Sequence, residues 1–377
     1  DMRLIISMLM MVCIKLSWAV SHQSVALVDA GSSGSRLHIF SYQLDKTHTP
    51  YNITEIWSKS IRPGLSTLPL SSITINNYLA DLLADAPVDN MPVYLYATAG
   101  MRLLPHAKQQ AYFDAVRHWF KNQPKWRLMA AQTISGQDEG LYGWLSVNYQ
   151  TGALMDEAQP SAGVLDMGGA SVEVTFPVET GTVAFRPHDI KRIRLYGRTH
   201  TLFTHSFLGL GQNEVAHQFL ETAPCFNQDY TLPSGEQAHA NVSLCKTQVM
   251  SLINHVHQVD KSVKRVLSKT QVKQWYALGG VVDLVKSPAF NFASLNFSNQ
   301  ELLTKAQHSV CQKSWVQISQ NYGKDDYAYG YCLFAAYYYG LMVEGYGLKP
   351  EQPLQYLAAN QTADWSLGFV LHPQSFE

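Results

Sequence analysis

The chain carries almost no net charge and has a single long apolar run. Its 28 basic and 29 acidic side chains give a formal net charge of −1 over 377 residues. A protein that coats nucleic acid needs a basic excess to displace counterions, so this composition excludes that class. Beyond the N-terminal region no apolar run approaches the length that spans a bilayer, so we expect no stable membrane anchor after maturation.

The one long apolar run lies near the N-terminus. Met2 and Arg3 precede apolar residues 4–14, and small residues at 17–19 provide a cleavable pattern. This order is typical of a secretory signal peptide, here residues 1–20, although a buried strand or an uncleaved anchor are alternatives. We therefore expect a protein that is secreted or periplasmic.

Cysteine is scarce, and its use agrees with export. Loss of the leader would remove Cys13 and leave four cysteines, an even number that suits two disulfides in an oxidising compartment. Three pairings are possible, and we favour the short-loop pairs Cys225–Cys245 and Cys311–Cys332. A zinc site is a poor alternative because no close Cys-x-x-Cys or Cys/His pair accompanies them.

A turn rich in glycine and serine lies between two apolar segments. Residues 25–28 and 37–40 flank Asp29 and the turn at 31–35, which predicts a β-hairpin. Glycine permits positive φ and close backbone approach, so successive N–H groups are expected to form an anion-binding nest. Asp29 at its rim suits a divalent cation that bridges carboxylate and phosphate.

The same pattern recurs at Asp166. Residues 162–165 and 172–176 are apolar and flank the turn at 168–171. One such turn alone is compatible with an ordinary polar turn, but two of them suggest similar lobes that face each other across the phosphates of a nucleotide. The polar segment between residues 150 and 163 is the best candidate for the lobe boundary.

Between the two turns, strands and helices alternate. Apolar residues 91–96 predict a strand, and a helix is predicted to open at Pro105. This alternation predicts an α/β architecture with functional loops at strand ends. A further helix is predicted from residues at helical spacing, which are Ile73, Tyr78, Leu79, Leu82 and Leu83.

Hydrolysis of a phosphoanhydride requires a base and neutralisation of developing charge. Glu139 lies in a glycine-flanked loop and is the candidate base, although a glutamate that complements a helix dipole is the alternative. Asp29 and Asp166 are predicted to hold a hydrated Mg²⁺ or Ca²⁺ through its water shell. The predicted phosphate ligands are Gly31, Ser32, Ser33, Gly34, Ser35, Arg36, Thr98, Ala99, Arg102, Gly168, Gly169 and Ala170.

Four segments resemble, in this order, the first four apyrase conserved regions of the ecto-nucleoside triphosphate diphosphohydrolase family. They are residues 29–36, 97–102, 134–140 and 165–171. Residues 331–347 and 364–368 are similar to the C-terminal segments of that family. The resemblance implies two actin-like lobes of the acetate and sugar kinase, heat-shock protein and actin superfamily, with the active site in the cleft between them. The implied lobes are residues 22–150 with 348–377, and residues 151–347.

The resemblance also implies roles for single residues. It makes Glu139 the base, Ser171 its partner at the attacking water, and Trp365 part of the wall beside the metal. Family members commonly have glutamine where this chain has Glu173, and an added carboxylate there could change the metal preference or the pH optimum. The segment at 276–283 departs from the aromatic-rich pattern of the family, so Tyr327 and Tyr331 become the candidates that stack on the nucleobase.

The implied reaction converts nucleoside tri- and diphosphates, such as ATP, ADP, GTP, GDP, UTP and UDP, to monophosphates with Mg²⁺ or Ca²⁺. The compact length and single leader are similar to those of secreted bacterial members of the family, and we expect a monomer. Three alternatives remain open at this point. They are an exopolyphosphatase, a sugar-kinase-like phosphotransferase of the same superfold, and a nucleotide-binding protein that does not hydrolyse its ligand.

Overall fold

The computed structural model describes residues 22–372, and the predicted signal peptide at residues 1–20 lies outside the described residues. Within 22–372, no helix combines the length and the apolar character that crossing a bilayer requires. The described chain forms two β-sheets of five and seven strands, with helices packed against both.

The five-stranded sheet has the strand order β3-β2-β1-β4-β5. Strand β1 is antiparallel to β2 and parallel to β4, so the sheet is mixed. The antiparallel pair is the predicted hairpin, and its turn contains the first glycine- and serine-rich segment. The elements of this half are β1 (Gln23–Ala30), β2 (Ser35–Leu44), β3 (Pro50–Ile61), β4 (Met91–Ala97), β5 (Trp126–Thr133), α1 (Ser72–Leu83), α2 (Ala99–Arg102) and α3 (His106–Phe120).

The seven-stranded sheet has the order β11-β12-β10-β6-β7-β9-β8. Its strands are β6 (Gly163–Met167), β7 (Ser171–Pro177), β8 (Ile190–Leu195), β9 (Arg198–Leu208), β10 (Trp275–Gly279), β11 (Asn296–Phe297) and β12 (Leu354–Gln355). The remaining helices are α4 (Gly136–Gln150), α5 (Gln212–Gln218), α6 (Val242–Met250), α7 (Arg265–Leu267), α8 (Gly280–Lys286), α9 (Asn299–Lys305), α10 (Trp315–Tyr322), α11 (Tyr331–Tyr339) and α12 (Ser366–Leu371). Wide helical turns also occur at Ser251–Val256, Asp260–Lys264, Ala306–Val310 and Gly340–Gly345, and tighter ones at Leu65–Thr67, Pro187–Asp189, Ala223–Cys225 and Ala328–Gly330.

Helix α1 forms where the apolar spacing predicts it, but its buried face differs by one residue. Ile73 is 76 % exposed, whereas Ile75 is fully buried. Ile75 lies three and four residues before Tyr78 and Leu79, so it shares their face of the helix, while Ile73 points away from it. Ile73 therefore lies within the predicted helix but outside its buried face.

Helix α4 follows a strand of the first sheet but packs on the second. Two glycines one turn apart permit this contact. A Cβ atom on Gly136 would lie 2.2 Å from the Cβ of Ser206, and one on Gly140 would lie 2.8 Å from the Oγ1 atoms of Thr175 and Thr204. The backbone of α4 consequently rests directly on β7 and β9, which bring the residues of its first turn close to the second glycine-rich turn.

The C-terminal part of the described chain contacts both halves. Strand β12 is parallel to β10 in the seven-stranded sheet, so the return to the first half begins after β12 and not at residue 348 as predicted. Helix α12 then packs on the first half, where Phe369 lies 5.0 Å from Tyr94 and 5.4 Å from Tyr96 between ring centroids. The other predicted lobe boundaries stay predictions.

Both predicted disulfides are present in the second half. The Cα atoms of Cys225 and Cys245 lie 4.9 Å apart, and those of Cys311 and Cys332 lie 5.7 Å apart. The tyrosine-rich segment forms α11, and the side chains of Tyr337 and Tyr338 are fully buried. Two covalent links therefore tie the helices around α11 together.

Candidate active site in the cleft

A cavity of about 650 Å³ lies between the two halves, where β1 and β6 end. Both glycine-rich turns and the first turn of α4 contribute to its wall. The contacts of these residues with phosphate stay predictions. The sequence-predicted residues that line the cavity are Asp29, Gly31, Ser32, Ser33, Gly34, Ser35, Arg36, Thr98, Ala99, Glu139, Asp166, Gly168, Gly169, Ala170, Ser171, Tyr327, Tyr331 and Trp365.

The first turn is held by close packing against two other glycines. A Cβ atom on Gly64 would lie 2.3 Å from the carbonyl oxygen of Ser32, and one on Gly100 would lie 2.8 Å from the Cα of Ser32. Neither Gly31 nor Gly34 has a positive φ. The expectation of close backbone approach is therefore confirmed, whereas the expectation of left-handed backbone in this turn is wrong.

The second turn is held by hydrogen bonds from the start of α5. The backbone N–H groups of Gln212 and Asn213 donate to the carbonyl oxygens of Gly168 and Gly169 at 2.9 and 2.8 Å. In a trans peptide the carbonyl and the following N–H point in opposite directions. Because the carbonyls face α5, the N–H groups that follow them face the cavity, where they can bind an anion.

The two turns touch each other across the cleft. The amide Nδ2 of Asn213 donates to the Oγ of Ser33 at 2.9 Å. A Cβ atom on Gly169 would lie 2.6 Å from the Oγ of Ser32, so the absence of a side chain permits this approach. Sequence reasoning missed Asn213, which lies far along the chain from both turns.

The buried Asp29 and the half-buried Asp166 mark the cation side of the cavity. Burial raises the pKa of Asp29 to about 7, which the Arg36 guanidinium 3.9 Å away opposes. Burial also raises the pKa of Asp166 to about 8, and the neighbouring Glu139 and Asp364 contribute in the same direction. Carboxyl groups that repel each other in this way are stabilised when a cation lies among them.

Asp364 is a third carboxylate at this wall, and sequence reasoning assigned it no role. The backbone N–H and the hydroxyl of Ser366 both donate to its Oδ1, and Nε2 of His38 lies 3.5 Å from its Oδ2. Glu55 fixes His38 from the other side at 2.6 Å. Burial raises the pKa of Asp364, but His38, Arg36 and the Ser366 hydrogen bonds outweigh burial and hold it below the usual value. Its position next to Trp365, which the sequence analysis assigned to the wall beside the metal, was the signal that could have identified it.

These residues fit a hydrated cation better than a directly coordinated one. Within residues 22–372, no three His, Cys, Asp or Glu side chains are close enough to hold an ion together. The buried Oδ1 of Asp29 has no hydrogen-bond partner among the described residues, which points to a missing donor or ion at this position. A cation that keeps several waters would supply such donors to Asp29, Asp166 and Asp364.

Glu139 lies in the first turn of α4, which Ser135 caps through the N–H of Asp138. Its side chain lines the cavity although the residue is 7 % exposed, which excludes the alternative of a surface glutamate that merely complements the helix dipole. Burial raises its pKa, and the Arg102 guanidinium, 2.9 Å from its Oε2, opposes that rise. A base with a raised pKa is better matched to proton transfer near neutral pH.

The structure corrects the role predicted for Arg102. The side chain does not line the cavity but lies behind it, where Nη2 donates to Ser171 Oγ at 2.9 Å and lies 3.4 Å from Glu173 Oε1. Its other nitrogen, Nη1, donates to the carbonyl of Ile134. Arg102 therefore contacts Glu139 and Ser171 instead of a phosphate, because the carboxylates of Glu139 and Glu173 attract its guanidinium.

The predicted nucleobase residues differ in accessibility. Both line the cavity, but Tyr331 is 1 % exposed and its hydroxyl donates to Asp325 at 2.6 Å. Phe290 packs edge-on against the Tyr331 ring, with 5.8 Å between centroids. Tyr331 thus belongs to the core, and its predicted stacking role is wrong. Tyr327 is half-buried and remains the candidate that stacks on the nucleobase. Trp365 lies in the cavity wall and stacks on Tyr142.

A protein-family model described as GDA1/CD39 (nucleoside phosphatase) matches residues 19–376. The chain belongs to this family. Membership confirms the resemblance to the ecto-nucleoside triphosphate diphosphohydrolases and the predicted enzyme class, hydrolysis of phosphoanhydride bonds.

Relatives within the GDA1/CD39 family cover most of the chain at low identity. Ectonucleoside triphosphate diphosphohydrolase 1 of Mus musculus is 27 % identical, over 92 % of this chain and 80 % of its own. Ectonucleoside triphosphate diphosphohydrolase 6 of Homo sapiens is 28 % identical, over 92 % of this chain and 76 % of its own. The similarity therefore extends over both halves of the molecule.

Solved structures show the same fold. A nucleoside triphosphate hydrolase from Neospora caninum superposes with a TM-score of 0.59 at 15 % identity, covering 94 % of this chain and 93 % of that one. A Ppx/GppA family protein from Aquifex aeolicus gives a TM-score of 0.56 at 14 % identity, covering 93 % and 97 %. These similarities confirm the predicted α/β fold of two actin-like lobes.

Proposed function

We propose that this protein hydrolyses the terminal phosphate of nucleoside tri- and diphosphates to yield monophosphates, with the help of Mg²⁺ or Ca²⁺. The observation that carries the proposal is the position of Glu139 and Ser171 in one cavity wall with both glycine-rich turns. The names of the two relatives above support the choice of substrate, because both are ectonucleoside triphosphate diphosphohydrolases.

The phosphates are bound by backbone groups. The N–H groups of the second turn face the cavity because the carbonyls of Gly168 and Gly169 are bonded to α5. The hydroxyls of Ser32 and Ser33 approach from the opposite turn. Donors fixed in this way need no rearrangement as charge develops on the transferred phosphoryl oxygens, so they stabilise the transition state.

Glu139 accepts the proton of the attacking water. The Arg102 guanidinium lies 2.9 Å from its Oε2, so Oε1 is the oxygen that we expect to accept the proton. The water oxygen forms a bond to the terminal phosphorus, the bond from phosphorus to the bridging oxygen breaks, and the shortened nucleotide departs with that oxygen. Ser171 holds the same water from a second direction, so the attack is oriented in line with the leaving group.

The divalent cation would be held by Asp29, Asp166 and Asp364 through water. When bound, it supplies positive charge to the phosphate oxygens of the substrate. The three carboxylates line the same cavity as Trp365 and the candidate nucleobase residue Tyr327. All of these residues belong to one chain, which supports action as a monomer.

We propose that the protein acts outside the cytoplasm, as a secreted or periplasmic enzyme. The predicted leader and the two disulfides support this location, because disulfides persist in oxidising compartments.

The test is phosphate release from ATP, ADP, GTP, GDP, UTP and UDP, with and without EDTA, beside a long-chain polyphosphate. We expect release from both tri- and diphosphates and its loss when the cation is chelated. Release from polyphosphate alone would instead identify an exopolyphosphatase. Tight nucleotide binding without release would identify a binding protein, and phosphate transfer to a sugar a kinase.

A further inference from the structure

We propose that His38 is a positioning residue that holds the carboxylate of Asp364 at the cation side of the cavity. This role rests on the proposed function, because it concerns the cation that the proposed reaction requires. It gives a task to a buried histidine that is not itself part of the cavity wall and that the reaction steps above do not use.

His38 lies on the same face of the first sheet as Asp29. It is paired with Leu27 across β1 and β2, and Leu27 comes two residues before Asp29 on β1. Side chains of directly opposite residues share one face of a sheet, and so do side chains two residues apart on a strand. His38 is 4 % exposed and lies outside the cavity wall, whereas Asp29 and Asp364 belong to that wall. It can therefore act on a cation only through a neighbouring residue.

The imidazole ring of His38 has a carboxylate at each of its nitrogens. Nδ1 lies 2.6 Å from Glu55 Oε1, and Nε2 lies 3.5 Å from Asp364 Oδ2. An ionised carboxylate only accepts hydrogen bonds, so the ring suits both neighbours best when each nitrogen carries a proton. His38 thus connects Asp364, which comes just before α12, to Glu55 on β3.

Asp364 is held at both of its oxygens. The N–H and the hydroxyl of Ser366 donate to Oδ1, and His38 faces Oδ2. Glu55 Oε2 also accepts a hydrogen bond from the hydroxyl of Thr362 at 3.3 Å, so the glutamate contacts the same stretch of chain. Outer partners of this kind orient the carboxylates that bind a metal or its waters. His38 therefore fixes the direction in which Asp364 meets a hydrated cation.

Packing alone does not account for a histidine at this position. Nε2 is buried and has no hydrogen-bond partner within residues 22–372. A buried polar nitrogen without such a partner costs free energy that an apolar ring would avoid. The His38 ring stacks on Phe40, with 5.9 Å between centroids and 9° between planes, so its surroundings also suit phenylalanine. The polar ring is explained better by its effect on Asp364.

The first test measures the Ca²⁺ affinity of His38→Phe in the absence of nucleotide. Phenylalanine keeps a ring that can stack on Phe40, but it interacts with neither Glu55 nor Asp364 through a nitrogen. The rise of the melting temperature with Ca²⁺ concentration at pH 8 gives the apparent Kd. We expect this Kd to increase about 10-fold, the lower end of the usual cost of losing an outer partner of a metal ligand.

Phosphate release from ATP at varied Mg²⁺ concentration provides the second measurement. If His38 acts on the cation, the activity that His38→Phe loses at low Mg²⁺ should return at high Mg²⁺. We expect kcat at saturating Mg²⁺ to stay within about 3-fold of the wild-type value. A defect of the fold would instead lower activity at every Mg²⁺ concentration.

A double-mutant cycle with Asp364→Asn shows whether Asp364 transmits the effect. In that background His38→Phe should change the apparent Kd for Ca²⁺ by about 2-fold or less. Should His38→Phe fold poorly, Glu55→Leu removes the support of the ring from the other side and should raise the Kd by a smaller factor. Glu55→Gln keeps an oxygen that accepts from Nδ1, and we expect it to restore most of the affinity.

His205→Phe is the matched control. His205 is 1 % exposed, its Nδ1 lies 2.8 Å from Oδ1 of Asp189, and neither residue belongs to the cavity wall. The substitution thus removes a buried histidine–carboxylate pair of the same kind from the other half of the molecule. We expect a lower melting temperature without Ca²⁺, but an unchanged apparent Kd for Ca²⁺.

Several outcomes would overturn the role of His38 alone. They are a Kd of His38→Phe equal to or below that of the wild type, an equal loss of affinity in His205→Phe, and a full effect of His38→Phe in the Asp364→Asn background. A wild-type protein that hydrolyses nucleotides without any response of its melting temperature to Ca²⁺ would also overturn it. A wild-type protein that releases no phosphate from nucleotides would overturn the proposed function as well.

Discussion

The two glycine-rich turns have the same sequence plan but are held in place by different forces. The first turn is fixed by steric contact, because Gly64 and Gly100 allow other backbone segments to press against Ser32. The second turn is fixed by hydrogen bonds from the N–H groups of α5 to the carbonyls of Gly168 and Gly169. Similar phosphate-binding shapes can thus be produced by packing in one half and by backbone pairing in the other.

The two halves also differ in the functional side chains that they contribute to the cavity and its surroundings. One aspartate precedes each glycine-rich turn, but Ser171 and Glu173 belong to the second sheet alone, and Glu139 reaches them on α4. The first half contributes Arg102 in return. Both halves therefore contribute a glycine-rich turn and an aspartate for binding, whereas Glu139 and Ser171 come together only beside the second turn. Four predictions test this difference between the halves.

The largest effect is expected at the base. Glu139→Gln keeps the side-chain volume but removes the proton acceptor, so turnover should fall by about 10³-fold with nucleotide binding retained. Steady-state kinetics and calorimetric titration with a non-hydrolysable nucleotide measure the two quantities. Asp138→Asn, at the neighbouring half-buried position outside the cavity wall, is the control and should leave turnover near that of the wild type. Near-normal turnover of Glu139→Gln would remove it as base.

Steric support of the first turn is tested by Gly64→Ala. The φ of Gly64 is −65°, which alanine adopts freely, so the cost comes from its Cβ, 2.3 Å from the carbonyl oxygen of Ser32. Since that neighbour is backbone, the turn must move, and we expect activity to fall about 100-fold. Kinetics with ATP provide the measurement. An active variant would show that the first turn tolerates displacement.

Hydrogen-bond support of the second turn is tested by Gln212→Pro. Proline is accepted at the first position of a helix, and the preceding Gly211 has the extended backbone that proline requires, so α5 should persist. The variant lacks the N–H that binds Gly168, and we expect about a 10-fold loss of activity. Gln212→Ala keeps that N–H and is the control, because it removes the same side chain, which contacts Tyr338 and lines the cavity, without removing the N–H. Equal losses in both variants would contradict backbone support.

The smallest effect is a dependence of stability on pH. The pKa values of Asp29 and Asp166 rise to about 7 and about 8 on folding. At a pH above the pKa of aspartate in the unfolded chain but below these raised values, the folded protein keeps protons that the unfolded chain has released. A rise in pH therefore lowers the free energy of unfolding. Without a cation, the melting temperature should fall by about 4 °C between pH 5 and 8. Added Ca²⁺ or Mg²⁺ should reverse the fall at the higher pH. A flat profile would contradict the burial of these carboxylates.

Local features of the chain allowed most of the fold to be predicted. The two hairpins, their aspartates and both disulfide pairs follow from segments that are short in sequence. Asp364 and Asn213 were missed because they reach the cavity through contacts that are distant along the chain. Arg102 was assigned to phosphate because the residues near it in sequence give no information about Glu139 on α4 and Glu173 on β7, which contact it in the folded protein. The glutamine-to-glutamate departure at Glu173 was the one sequence signal of that arrangement.

The position of Arg102 on α2 has a consequence for turnover. Glu139, Ser171 and Glu173 are all fixed to the second sheet, whereas their shared guanidinium comes from the first. A hinge motion that widened the cleft would carry the positive charge away and leave two neighbouring acidic groups without a counterion. Such a motion would favour the protonated glutamate just as the products leave, and reclosure would restore the charged form before the next attack. One cycle of opening and closing would then both release the products and return Glu139 to its charged form.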